Sequence, residues 1–422
     1  MNVDAIRAEF PAIGLKARGV GASARDIIYF DNPAGTQVSR RVLRRMEEAM
    51  IGLNANLGGM FDTSIAAEAM VDQARAAMAD FFNGSPDEVI FGQNMTTLTF
   101  AMSRTIGRDL KAGDEILLTR MEHDANAAPW LMLAEEKGLV VRWLDFDPAS
   151  FEFDLTQLET LVTGRLKLAA INYASNVIGT INDVTAIARR VKEVGALVYV
   201  DAVQFAPHGV IDVKALGCDF LVCSSYKFYG PHQGIVWGRR EVLDRLTAYR
   251  VRPAPTEGPG KFETGTASRE GLAGVLGALE HYQWVGTEYG GAGAKTSPRA
   301  RIIAGIKTID AHEQAITAQL IDGLSQIKGI AIQGITARAA MHRRVPTISF
   351  THPGFDPQAI CVAMAREGIS LWQGHNYGVE PVKRLGLIDR GGVVRIGLGQ
   401  YNTKDEVDFL LGRLSSWIGK NG

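Results

Sequence analysis

From Asp26 to about Trp237, short runs rich in β-branched and aromatic residues alternate with stretches of helical periodicity, and that alternation narrows the fold to one class. The runs are IIYFD (27–31), EVIF (88–91), EILLT (115–119), VVRWL (140–144), LKLAAIN (166–172), ALVYVD (196–201), DFLVCS (219–224) and GIVWG (234–238). Each has the length and residue types of a strand. Between two of them, DVTAIARRVKEVG sets Val184, Ile187, Val191 and Val194 at helical spacing, with Asp183 placed to cap the start and Gly195 the end. Strands alternating with helices build an α/β fold, a mostly parallel sheet covered on both faces. Ligands bind such sheets beyond the carboxyl ends of the strands, so chemistry is expected just after each run.

After about residue 290 the texture changes. A Gly-rich stretch, YGGAGAK, leads into a long helical segment, then into strand-like IAIQGI and TISFTH, a helix near 357–367, VVRIGLG, and a closing helix with Thr403 and Glu406 in capping-box spacing. With 422 residues, one large domain plus a smaller one is expected. We place the large domain at 26–290 and a smaller α+β domain at 291–422, with the N-terminal segment 1–25 packing on the latter. The longest irregular stretch, at 252–266, is Gly- and Pro-rich, and loops of that kind are usually functional or mobile.

Composition excludes several partner classes. Forty-five basic and 46 acidic residues give a formal charge of −1, which leaves neither a nucleic-acid footprint nor a polybasic membrane patch. No apolar run is long enough to span a bilayer, and the acid-containing N-terminus does not read as a signal peptide. Cys218, Cys223 and Cys361 form no CxxC pair and have no His–Cys cluster around them, which fits a reduced cytoplasmic protein with no zinc site.

Several residues stand at strand ends. Asp201 closes ALVYVD, where a carboxylate is costly unless a cation or ligand pairs with it; capping the next turn is the competing explanation. Lys227 follows the next run by three residues and precedes the turn Tyr229-Gly230-Pro231. It could be a surface lysine, or one whose burial lowers its pKa for Schiff-base chemistry. Asp201 and Lys227 at the ends of two strands could address opposite ends of one flat ligand, as pyridoxal 5′-phosphate requires. Thr96 and Thr97 open a helix after EVIF, as phosphate ligands or as ordinary caps. His123 after EILLT suits stacking over a ring, and Asn176 after LKLAAIN could bond a phenolic oxygen or simply serve the turn before Gly179.

The stretches YFDNPAGTQ, MTTLT, MEHDANAAPW, SNVIGTI, VDAVQ, SSYKFYGP, FETGT and VVRIGLGQYNT follow the order of one family over nearly the whole chain. The chain resembles the class V aminotransferases, in the branch near cysteine desulfurases and selenocysteine lyases. The resemblance implies the fold type I architecture of pyridoxal phosphate-dependent transferases. It implies that Lys227 holds the cofactor as a Schiff base, that Asp201 pairs with the pyridinium, and that Gln204 and Asn176 bond the phenolic oxygen. His123 would stack on the ring and act in catalysis, while Thr96, Thr97 and one of Ser224 and Ser225 would hold the phosphate. Thr266 would reach the phosphate of a neighbouring subunit, making the protein a homodimer with shared sites. Arg395 would clamp the α-carboxylate of an amino-acid substrate, if it is not merely an exposed strand arginine.

Two positions depart from the family. Resembling desulfurases usually have His before the Schiff-base lysine, where this chain has Tyr226. Their mobile loop offers a cysteine nucleophile, and the matching loop here, GISLWQGHNYGVEPVKRLG, puts Tyr377 nearest that place. The expected chemistry is therefore an α-carbanion that loses a thiolate or selenide by β-elimination. His375, Asn376, Tyr377 and Trp372 would shape the pocket and protonate the leaving group. Transamination, epimerisation, a pyridoxal-binding regulator without turnover and a plain nucleotide-binding protein are the alternatives.

Overall fold

The computed structural model describes residues 1–16, 26–293 and 295–421. Seven strands form the central sheet: β1 (Val89–Gly92), β2 (Glu115–Thr119), β3 (Val140–Leu144), β4 (Leu166–Asn172), β5 (Leu197–Asp201), β6 (Phe220–Ser224) and β7 (Gly234–Gly238). Their spatial order is β1-β7-β6-β5-β4-β2-β3. Pairing is parallel from β3 through β6, and β7 runs antiparallel to both of its neighbours. The side chains explain why the runs are continuously apolar. Successive strand residues point to opposite faces, and both faces are buried. Ala169, Ile171, Val198 and Val200 enter one core, while Leu168, Ala170 and Tyr199 enter the other.

A second sheet lies in the C-terminal part. It comprises β8 (Ala331–Gln333), β9 (Thr347–Thr351), β10 (Trp372–Gly374) and β11 (Val393–Gly397), in the order β8-β9-β11-β10 and antiparallel throughout. The helix Pro298–Gln326 joins the two halves: Ile302, Ile306 and Ile309 bury in the first core, and Ile316, Leu320 and Leu324 in the second. Among the described residues no helix is long and apolar enough to cross a membrane.

Two readings of the N-terminal region change. The run 27–31 does not join the central sheet. Ile28 and Tyr29 pair in parallel with Ile369 and Ser370, and Phe30 is fully buried in the C-terminal core. The first helix, Val3–Ala8, does not pack on the smaller part alone. Its Arg7 bonds Glu406 and the Tyr401 carbonyl, whereas Ile6 and Phe10 bury in the large core. The reason is amphipathic: its apolar side chains find the larger core and its charge finds the acid of the closing helix. That helix starts as read, with Thr403 and Glu406 exchanging reciprocal capping bonds. Asp183 likewise caps Val184–Lys192 through Ala186 N, and Gly195 follows at φ +74°.

Candidate active site

The carboxyl ends of β1, β2, β4, β5 and β6 converge on one cavity of about 390 Å³, lined by Thr96, His123, Asn176, Asp201, Gln204, Ser224, Tyr226 and Lys227. β7 contributes none of these, because it runs the other way. Its first residue, Gly234, instead lets the chain pass the turn at Asn94, where a Cβ would lie 2.4 Å from backbone carbon. A second cavity of about 510 Å³ shares Thr96, His123, Asn176, Tyr226 and Lys227 and extends to Arg395 and Tyr377.

Lys227 ends a short turn after β6, and Tyr229 at φ +68° then reverses the chain toward β7. The Lys227 Nζ is buried and donates to the Ala34 carbonyl at 3.0 Å and to that of Pro33. No carboxylate pairs with it among the described residues. Burial, then the nearby Arg395 cation, lowers its pKa to about 7. Asp201 is 3% exposed and accepts from Val203 N at 2.8 Å. Burial raises its carboxyl to about 6, against the opposing pull of that hydrogen bond and of Lys227.

His123 caps the helix Asp124–Lys137, its Nδ1 accepting from Ala125 N at 3.0 Å, so Nε2 carries the proton of the neutral ring. Burial and the Lys227 and Arg395 cations hold its pKa near 3. The Tyr377 ring stacks on it, with centroids 5.6 Å apart. Asn176 gives its amide N–H to the Asn376 carbonyl at 2.7 Å, and Gln204 gives its own to Thr347 Oγ1 at 3.0 Å. The two amide oxygens left over, Asn176 Oδ1 and Gln204 Oε1, are buried without a partner.

The remaining expected residues divide between the cavity walls and their surroundings. Thr97 lines neither cavity and bonds Asn94 Oδ1 at 3.1 Å, since one helical step from Thr96 turns its side chain away. Ser224 lines the inner cavity and accepts from Met95 N, while Ser225 bonds the Pro231 carbonyl at 2.5 Å. Thr266 is exposed and lines neither space. His375 is also exposed, its Nδ1 accepting from Tyr377 N, whereas Trp372, Asn376 and Tyr377 face the outer cavity. Asn376 and Tyr377 both sit at left-handed φ, +53° and +56°.

Arg395 is 3% exposed in β11, so it is no surface arginine. It donates to Asp31 Oδ1 and to the Asn176 carbonyl, each at 3.2 Å, and its Nε has no partner. Asp31 escaped the sequence reading although it ends the quoted YFD run; an acid after a buried aromatic was the available signal. The Pro33 and Ala34 carbonyls that receive Lys227 left no such signal. Cys218, Cys223 and Cys361 are all buried and line neither cavity.

The Aminotransferase class-V family model matches residues 28–410. The chain is 33% identical to an aminotransferase-like protein of Gibberella zeae, covering 97% of each. It is 31% identical to a probable cysteine desulfurase of Synechocystis sp., covering 98% of this chain and 95% of that one. Among solved structures, the apo cysteine desulfurase of Thermococcus onnurineus superposes with a TM-score of 0.83 at 26% identity, over 93% of this chain and 95% of that one.

Proposed function

We infer the function from one premise: the chain belongs to the aminotransferase class-V family, whose members are pyridoxal 5′-phosphate-dependent enzymes. The inner cavity fits that cofactor. Buried amide oxygens without partners are expensive, and a polar ligand reaching Asn176 and Gln204 would relieve them. A buried carboxylate such as Asp201 regains its charge beside a pyridinium. Lys227 would carry the cofactor, Thr96 and Ser224 would hold its phosphate, and His123 would lie along its ring. Bound there, pyridoxal phosphate supplies an electron sink for negative charge at a substrate α-carbon.

The chain's own groups then divide the work. Arg395, oriented by Asp31, offers its unpaired Nε edge to the α-carboxylate of an amino acid. Lys227 Nζ, whose pKa burial and Arg395 lower to about 7 so that a large fraction is unprotonated at neutral pH, would take the α-proton. The Tyr377 hydroxyl at the cavity wall gives a proton to a departing sulfur or selenium. We propose β-elimination from a cysteine-like amino acid, which frees the thiol or selenol and 2-aminoacrylate; solvent water then hydrolyses the released aminoacrylate to pyruvate and ammonia. The three buried cysteines support this against sulfur transfer to a protein thiol. Burial pushes Cys218 and Cys361 up to about 12 and Cys223 well above its usual range, so none is a ready acceptor. Transamination is the second reading, favoured by the similarity to an aminotransferase-like protein. We further propose a homodimer, with Thr266 of each subunit serving the partner site.

The observation that carries this reading is a pair of adjoining cavities that share Lys227, a lysine with no carboxylate partner among the described residues, with Asp201 lining the inner one and Arg395 the outer. The test is incubation of the holoenzyme with a panel of amino acids, scoring sulfide, pyruvate, alanine and other keto acids separately. Pyruvate with sulfide or a free thiol is expected. Alanine with a protein persulfide would overturn the reading, and a keto acid retaining the substrate's full carbon chain would establish transamination. Tyr377→Phe should lower kcat about tenfold or more with little change in KM; an unchanged rate and substrate preference removes Tyr377 from the chemistry.

A further inference from the structure

The outer cavity is polarised in a way that the reaction above does not use. Its inner end holds Lys227 and Arg395, and its lining also includes Asp124, the first residue of the helix that His123 caps. Among the described residues the Asp124 carboxylate has no hydrogen bond and no ion pair, whereas its neighbour Glu380 is paired with Arg120. The titratable groups facing Asp124 are Glu380, which repels it, and His375 of the facing loop. A helix N-terminus favours an acid, which explains why the charge is tolerated but not why it opens on the cavity.

Aromatic rings share that space. Phe100, Trp372 and Tyr377 line it, and the Tyr377 carbonyl accepts from Asp124 N at 2.7 Å, tying that loop to the first residue of the helix. Trp372 and Tyr377 are 53% and 68% exposed, an apolar area that a bound side chain would cover. A lone carboxylate sharing a cavity wall with Trp, Tyr and Phe is a set of groups suited to an organic cation, by charge and by the ring quadrupole. A cysteine side chain is far too short to fill about 510 Å³ reaching from Lys227 to Asp124.

We propose that the outer cavity selects amino acids with a long side chain ending in a cationic group, with Asp124 as the specificity-determining carboxylate among Phe100, Trp372 and Tyr377. The inference rests on the reading that Arg395 holds the substrate α-carboxylate, and it names the other end of that substrate.

Three thioethers of matched length separate the contributions: S-(2-aminoethyl)-L-cysteine, S-propyl-L-cysteine and S-carboxymethyl-L-cysteine. Their dissociation constants are read from the change in the holoenzyme's visible absorbance. The aminoethyl form should bind about tenfold more tightly than the propyl form, and the carboxymethyl form most weakly. Asp124→Asn should close the aminoethyl–propyl gap, and Trp372→Ala should weaken both. Equal affinities in the unaltered enzyme, or a gap that survives Asp124→Asn, would overturn the proposal while leaving the amino-acid reading intact. If none of the three, nor cysteine or alanine, perturbs the spectrum, the amino-acid reading itself fails and takes this one with it.

Discussion

Asp201 is held in a place that disfavours its charge until a cation arrives, and that has a consequence for stability. Its carboxyl titrates near 6 in the fold, against about 3.8 in the unfolded chain. A raised carboxyl pKa means that the folded state binds the proton more tightly. The associated stability is present below about pH 4 and lost as pH rises through about 6. A difference of about two units corresponds to about 3 kcal/mol at neutral pH. Asp201→Asn should therefore stabilise the cofactor-free protein by about 2–3 kcal/mol at pH 8 and by almost nothing at pH 4, while weakening cofactor retention. Thermal melts at the two pH values check this, and equal shifts at both would refute the buried-charge explanation. Asp201, Lys227 and His123 could be picked out as candidates because each lies at, or within four residues of, the carboxyl end of a strand whose apolar run marks its own end. Thr97 and Ser225 were not separable from Thr96 and Ser224 in the sequence. Adjacent residues differ by one helical step or one strand face, and only the backbone decides which of the two meets the cavity.

At the scale of elements, the C-terminal sheet grips the turn that carries Asn176. Ser349 Oγ donates to the Val177 carbonyl at 2.6 Å, Val345 N donates to the Gly179 carbonyl, and Ile181 N donates to the Arg343 carbonyl. The same β9 region supplies Thr347 to Gln204, and its neighbour β11 supplies Arg395 to the Asn176 carbonyl. Gly179 allows this contact: it sits at φ +77°, and a Cβ there would lie 2.4 Å from the Thr347 carbonyl oxygen. Gly179→Ala should cost about 2–4 kcal/mol in stability through backbone strain and a clash that neither backbone can relieve. Chemical denaturation measures the loss, and the surviving folded protein should also hold pyridoxal phosphate more weakly, because the Asn176 turn must shift. A cost below about 0.5 kcal/mol would show that the two elements are not locked there. The central strands were legible because they are apolar on both faces and bounded by turns. The docking of Ile28–Tyr29 on Ile369–Ser370 was not, since two residues of parallel pairing leave no periodicity to read.

For the whole molecule, the cavity lies where the two cores meet, and a large apolar surface remains uncovered nearby in sequence. Met50 and Ile51 lie in the last turn of one helix, Arg40–Gly52; Met60 and Phe61 immediately precede the next, Asp62–Phe82, and Ile65 lies in its first turn. Ile51 is 79% exposed and Met60 94%, with the other three above half. Five large apolar side chains within sixteen residues are left in water, and exposed apolar surface of that kind is where an interface is expected. The homodimer proposed above would cover this surface with a second copy of the chain and would also give the exposed Thr266 a neighbouring site to serve. Sedimentation should therefore give a dimer at micromolar concentration. The double substitution Met60→Glu and Phe61→Glu should shift it to monomer, since placing charges in an apolar contact removes its driving force and leaves them desolvated. If sites are shared, the monomer should also lose cofactor on gel filtration, and Thr266→Val should do so without changing the oligomeric state. A wild-type monomer that keeps its cofactor would refute both halves of the argument. A dimer whose cofactor affinity ignores Thr266 would refute only the sharing.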